Sequence, residues 1–213
     1  MAKGIREKNK NLRYQSIVST AERLFLDQGL DSVQMQDIAD AAGIGIATLF
    51  RYFPKKDKLI VAVAIQNLER TMEGIEKITG QTKSAYNRIE DLLGFLLRSQ
   101  HSDKNESYKF REAFESYASF TNEPLPGIED YIDMQKQVTE LLLPLIEDGK
   151  SDGSIRTDIP VDKVLMTIIN AYGIFGNNVI FKQPITYTVK GLEPKIQQEL
   201  LKEMLLSYIR PLN

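Results

Sequence analysis

Residues 37–53 read Asp37-Ile38-Ala39-Asp40-Ala41-Ala42-Gly43-Ile44-Gly45-Ile46-Ala47-Thr48-Leu49-Phe50-Arg51-Tyr52-Phe53. Two short helices meeting at a steep angle need particular side-chain sizes. Ala39 is small enough for a second helix to approach closely. Gly43, four residues on, suits the left-handed backbone just past a helix end. Ile44 follows as the apolar plug of the turn. Leu49, ten residues after Ala39, points back onto the first helix. This spacing predicts a helix-turn-helix.

The flanks agree. Ile17, Ala21, Leu24, Phe25 and Gln28 recur at helical spacing and predict one amphipathic helix, stopped at Gly29. Pro54 closes the third helix and opens a fourth, with Lys55-Lys56-Asp57-Lys58 at its start. The apolar run Leu59–Ile65 continues that helix and is the expected mechanical joint. Beyond Gly80, helices are predicted over 84–100, 106–120, 128–149, 161–181 and 194–209. Pro144 should kink the third of these. Thr186-Tyr187-Thr188-Val189 is strand-like but alone, and reads as an extended loop. The expected fold is all-α, with about nine helices. A three-helix head over 1–54 joins through the fourth helix to a C-terminal helical domain over 55–213.

Composition excludes several classes. The 213 residues include no Cys and one His, so disulfide scaffolds, thiolate zinc sites, iron–sulfur clusters and multi-histidine metal centres are ruled out. No cofactor, metal site or catalytic set is expected. Gly43-x-Gly45 and Gly173-x-x-Gly176 follow no strand, so neither makes a phosphate loop. The longest uninterrupted apolar run, Leu59–Ile65, is far short of the ~20 residues of a spanning helix. The N-terminus lacks a signal peptide's apolar core, and no membrane partner is expected. A cytoplasmic, nucleoid-associated location is expected. The net charge of −2 hides an asymmetry: residues 1–58 hold ten Lys/Arg and seven Asp/Glu, a net of +3. That basic end is either a polyanion contact or a solvated terminus.

Residues 12–65 resemble the N-terminal domain of the tetracycline-repressor (TetR/AcrR) family of bacterial transcription regulators. Ala21-Glu22-Arg23-Leu24-Phe25 with Gly29, Asp37-Ile38-Ala39 with Ala42-Gly43-Ile44, and Thr48-Leu49-Phe50-Arg51-Tyr52-Phe53-Pro54-Lys55-Lys56-Asp57-Lys58-Leu59 carry the likeness. The resemblance implies base-facing Gln36, Ile46, Ala47 and Phe50. It implies phosphate-facing Gln34, Thr48, Tyr52 and Lys56, with an N-terminal arm around Lys10 and Arg13. Gln34, Phe50 and Ile46 depart from the commoner Ser/Thr, Tyr and polar residues. Ile46, Ala47 and Phe50 should prefer thymine methyls, and Gln36 should read adenine, giving an A·T-leaning operator.

One such module makes few contacts, so a homodimer on a near-palindromic double-stranded operator is expected. Its seam is assigned to Ile168, Tyr172 and Phe175 of the penultimate helix and to Ile196, Leu200, Met204 and Tyr208 of the last. By resemblance the central helices surround a cavity for a small hydrophobic effector. Its expected lining is Phe95, Phe110, Phe114, Tyr117, Tyr131, Met134 and Asn170. The function implied is a ligand-released repressor, with a constitutive DNA-binding protein as the alternative.

Overall fold

The computed structural model describes residues 2–101, 106–181 and 190–212. These form nine α-helices and no strand: α1 Ala2–Gln28, α2 Met35–Ala41, α3 Ile46–Tyr52, α4 Lys56–Thr79, α5 Ala85–His101, α6 Glu106–Ser119, α7 Ile128–Ser151, α8 Val161–Phe181 and α9 Pro194–Ile209. The expected all-α class holds, and the helix ends fall close to the breakers. Gly29 and Gly43 both take positive φ, +86° and +65°, the conformation that an L side chain resists. α7 runs through Pro144 as one helix. The extended stretch expected at 186–189 lies outside the described residues.

Packing divides the chain into two units on bounds other than 1–54 and 55–213. The first holds residues 1–70 and 109–135; the second holds 71–108 and 136–213. α4 therefore enters the first unit with its N-terminal half and the second with its C-terminal half.

The first unit is built on α1. Ile17, Val18, Ala21, Leu24 and Phe25 are buried against Val33, Ile38, Ala39, Leu49 and Phe53. Leu59 through Ala64, six consecutive residues of α4, are all buried in the same core. Phe110 and Phe114 of α6 and Tyr131 of α7 complete it, linked ring to ring from Phe25: 6.3 Å to Phe110, 6.5 Å on to Phe114 and 4.9 Å on to Tyr131. Arg70 of α4 ties α1 by donating to the buried Glu22 at 2.5 Å.

The second unit packs α5, α8 and α9 together. Ile89, Leu92 and Leu93 of α5, Leu165, Ile168 and Tyr172 of α8, and Leu206 and Ile209 of α9 share its core. Arg88 closes one end. It donates to the Thr79 carbonyl at 2.8 Å and to Asp148 at 2.6 Å. Asp152 and Ser154 satisfy the first N–H groups of α5, Ala85 and Tyr86, which a helix N-terminus otherwise leaves open.

Candidate nucleic-acid interface

The helix-turn-helix forms as its spacing requires. Ala42 N–H bonds the Ile38 carbonyl at 2.9 Å, Gly43 N–H the Asp40 carbonyl at 3.1 Å, and Ile44 N–H the Ala39 carbonyl at 3.0 Å. These bonds satisfy the last carbonyls of α2 and turn the chain at Gly43. Ala39 and Leu49 are fully buried against the core of the first unit. The ring of Tyr14 lies 5.1 Å from that of Phe53, fastening the end of α3 to α1. Gln34 N–H is held by Asp37 Oδ2 at 2.8 Å at the start of α2.

With Leu49 inward, α3 turns Ala47 and Phe50 to solvent. Phe50 is 45% exposed, a conspicuous position for a phenyl ring. Gln34, Gln36, Lys10 and Arg13 are also exposed, and Thr48 is half-buried. Ile46 and Tyr52 are half-buried and pack partly on the core, so much of their surface is taken up within the head.

Lys56 departs from its expected phosphate-facing role. Its ammonium donates to the carbonyls of Leu30, Asp31 and Val33 at 2.8, 3.0 and 3.1 Å. An ammonium has three hydrogens, and all three go to the segment between α1 and α2. Lys56 therefore fixes where α2 begins. Its neighbour Asp57 accepts from the Tyr117 hydroxyl of α6 at 2.9 Å. Burial, with that bond and the nearby Asp57 charge, pushes the Tyr117 hydroxyl up to about 12, so it stays a donor at neutral pH.

Asp40 was not among the expected site residues. It accepts from Gln36 Nε2 at 2.7 Å along α2. The i, i+4 spacing of a Gln and an Asp was the available signal.

The expected effector residues divide between the two units. Phe110, Phe114 and Tyr131 fill the core of the first unit, where burial raises the Tyr131 hydroxyl to about 12. Met134 is half-buried in the same unit. Tyr117 also lines an open cleft of about 430 Å³ with Leu30, Asp31 and Phe120. Phe95 belongs to the second unit, where its ring sits on Gly74 so closely that a Cβ there would meet it at 2.3 Å. Asn170 is exposed on α8, which removes it from the interior of its unit.

The expected dimer residues also need correction. Ile168 and Tyr172 face inward, and Tyr172 is 0% exposed. Neither presents a side chain to a partner. The exposed stripe of α8 is instead Thr167, Asn170, Ala171, Ile174 and Asn178, with Phe175 half-buried beside it. On α9, Ile196, Leu200, Met204 and Tyr208 are all exposed as expected, Met204 at 69%. Arg156 lies 5.6 Å from the centre of the Tyr208 ring and borders the same face.

Residues 17–63 match the model of the family described as bacterial regulatory proteins, tetR family. The head therefore resembles the N-terminal domain of that family. The chain resembles TetR/AcrR regulators beyond that segment as well. It is 24% identical over 163 residues to the transcriptional repressor KstR2 of Mycolicibacterium smegmatis, covering 71% of this chain and 72% of that one. It is 30% identical over 90 residues to an HTH-type transcriptional regulator of Staphylococcus aureus, covering 42% and 49%. In fold it resembles a transcriptional regulator from Saccharomonospora viridis solved with choline. The TM-score is 0.73 at 19% identity, over 92% of this chain and 97% of that one. It also resembles the ketosteroid transcriptional regulator KstR2 of Mycobacterium tuberculosis, with a TM-score of 0.60 at 19% identity over 93% and 95%. The segment with that likeness thus sits in a chain whose relatives are HTH-type transcriptional regulators. Among the described residues, no helix is long and apolar enough to cross a membrane.

Proposed function

We propose that the protein is a homodimeric repressor that binds a near-palindromic operator in the bacterial cytoplasm and is released by a hydrophobic small molecule. The observation that carries this reading is the exposed set Gln36, Ala47 and Phe50 on a head whose buried residues fix α3 in place. A helix presented this way fits the major groove. Ala47 and Phe50 offer apolar contact to thymine methyls. Gln36 has one amide N–H on Asp40, which orients the amide; its oxygen can accept from adenine N6 or cytosine N4, and its second N–H remains a donor.

The exposed stripes Ile174 on α8 and Ile196, Leu200, Met204 and Tyr208 on α9 support a two-chain seam. For the effector, the supporting feature is Tyr172. Its buried hydroxyl has no hydrogen-bond partner among the described residues, and burial with the nearby Glu199 raises its pKa. An unpaired buried hydroxyl costs about 1–3 kcal/mol, and a ligand acceptor would relieve it. The ketosteroid regulator KstR2 and the regulator solved with choline direct the first screen to steroid-like and quaternary-ammonium molecules. Release needs a coupling of about 1–3 kcal/mol between the two sites.

Selection of bound sites from random duplex DNA tests the reading. A palindrome with thymine-rich half-sites is expected, and Gln36→Ala should relax one base pair by about 1–3 kcal/mol. G·C-rich half-sites would overturn the assignment of α3. A thermal-shift screen in which no compound of any class stabilises the protein would favour the constitutive alternative.

A further inference from the structure

The seam between α1 and α4 in the first unit carries two carboxylates that are answered differently. Glu22 is buried and accepts from Arg70 at 2.5 Å, and Arg70 also donates to Asn67 Oδ1 at 2.9 Å. Glu69, beside Arg70 in sequence, makes no ion pair or hydrogen bond among the described residues. The cation of the seam is spent on Glu22, and Glu69 is left with none.

Glu69 borders a cleft of about 210 Å³ between the two helices. Tyr14 and Val18 of α1, at i and i+4, form one wall; Ala62, Ile65, Gln66 and Glu69 of α4, at i, i+3, i+4 and i+7, form the other. Val18 and Ala62 are buried, so the floor is apolar. Tyr14 is half-open to solvent, with its ring held 5.1 Å from that of Phe53. Gln66 Oε1 is buried and accepts no hydrogen bond among the described residues, an unusual state for an amide oxygen. No Lys or Arg lines the cleft. Glu7 and Lys8, a turn or so earlier on α1, carry opposite charges. Burial, then the charges of Glu69 and Asp130, push the Tyr14 hydroxyl up, so a second carboxylate acts on the same place.

An anion is repelled from such a cleft, and a neutral apolar molecule gains only its floor. A cation with hydrogen-bond donors and a short apolar tail meets a carboxylate, an unpaired acceptor and an aromatic ring together. The volume lies below the ~300–1,000 Å³ of pockets for drug-sized ligands, which limits the tail to a few carbons. We propose that this cleft binds a small primary alkylammonium ion, its N–H groups donating to Glu69 and Gln66 Oε1, its charge against the Tyr14 ring and its tail on Val18, Ala62 and Ile65. The site lies wholly in the first unit, whereas Tyr172, the suggested effector anchor, belongs to the second. It goes beyond the repressor reading and does not depend on it.

The test is a ¹⁵N–¹H NMR titration of the assigned full-length protein, without DNA, at constant ionic strength. The probe is butylammonium chloride, with butanol and sodium butyrate as neutral and anionic counterparts. Butylammonium should give saturable shifts with a Kd of millimolar order, centred on Tyr14, Glu69 and the Gln66 side-chain amide. Butanol should bind about tenfold more weakly and butyrate not at all. Glu69→Gln changes an exposed position, so the thermal midpoint should hold while butylammonium falls to the level of butanol. Gln66→Leu removes the unpaired oxygen; stability should hold or rise, and butylammonium affinity should drop severalfold. No saturation by about 100 mM, a concentration far above millimolar Kd, overturns the proposal. So does equal binding of butanol, which would make the cleft a plain apolar groove. Shifts that centre on α8 and survive Glu69→Gln would place the ammonium in the second unit and likewise refute this site. Each of these failures leaves the DNA-binding reading untouched, because no duplex enters the measurement.

Discussion

The helix-turn-helix and the α8–α9 pair are both small helical arrangements, yet their sequences constrain them differently. In the head, contacts depend on residues with little tolerance: Ala39 where a larger side chain would push α3 away, Gly43 at φ +65°, Leu49 at zero exposure. Shift the register by one and each falls in the wrong place. In α8, apolar residues occur on nearly every side: Leu165, Ile168, Ile169, Tyr172, Ile174 and Phe175. The same helix could bury either of two faces. Steric exclusion specifies a geometry, whereas apolar bulk alone specifies only that something is buried.

Leu49→Ala presses hardest on that contrast. Emptying a fully buried site at the α3 contact should cost about 2–5 kcal/mol, seen as a lower midpoint in urea. A loss under 1 kcal/mol would mean the head is less tightly specified than its spacing suggests. On the other side, Met204→Glu should convert the dimer to monomer at micromolar concentration by light scattering, with α-helical content retained. Ile168→Ala should instead lower stability and leave the dimer intact; the opposite pattern would reinstate the inward face of α8 as the seam.

Lys56→Ala should lower the thermal midpoint by loosening the start of α2, with the salt slope of DNA binding unchanged. A slope shallower by about one unit would put Lys56 on a phosphate after all. Tyr172→Phe should raise stability by about 1–3 kcal/mol, since it removes an unpaired buried hydroxyl. If it leaves effector response intact, the proposed anchor is elsewhere. The smallest effect is alkaline. Tyr131, raised from 10.0 to about 12, binds its proton more tightly folded than unfolded. Its contribution is complete below pH 10 and is lost as pH rises through 12. Tyr131→Phe should flatten that decline in an equilibrium unfolding series.

These differences explain what was legible. The helix ends were, because Gly29, Gly43 and Pro54 punctuate the chain whatever packs around it. The outward-facing Ala47 and Phe50 were, because Leu49 fixes the rotation of α3. The α9 stripe was, because Ile196, Leu200, Met204 and Tyr208 recur at i, i+4 steps while Leu201, Leu205, Leu206 and Ile209 already supply the face packed on the core. The inward face of α8 was not, because Ile174 and Phe175 put apolar bulk beside Thr167, Asn170 and Asn178 on the outward side. Phe110, Phe114 and Tyr131 read equally as pocket or core, since aromatic rings serve both, and only three-dimensional proximity to Phe25 shows them as core. Lys56 was misplaced because a cation in the first turn of a helix gives no sign of three carbonyls twenty-odd residues away.

The buried run Leu59–Ala64 bears on how any signal crosses the head. A helix with one greased face can roll or slide along it. One hemmed in on every side turns only by expelling its neighbours, so this segment acts less as a pivot than as an axle. Whatever displaces it must carry α1, α6 and the reading helix along as a single piece.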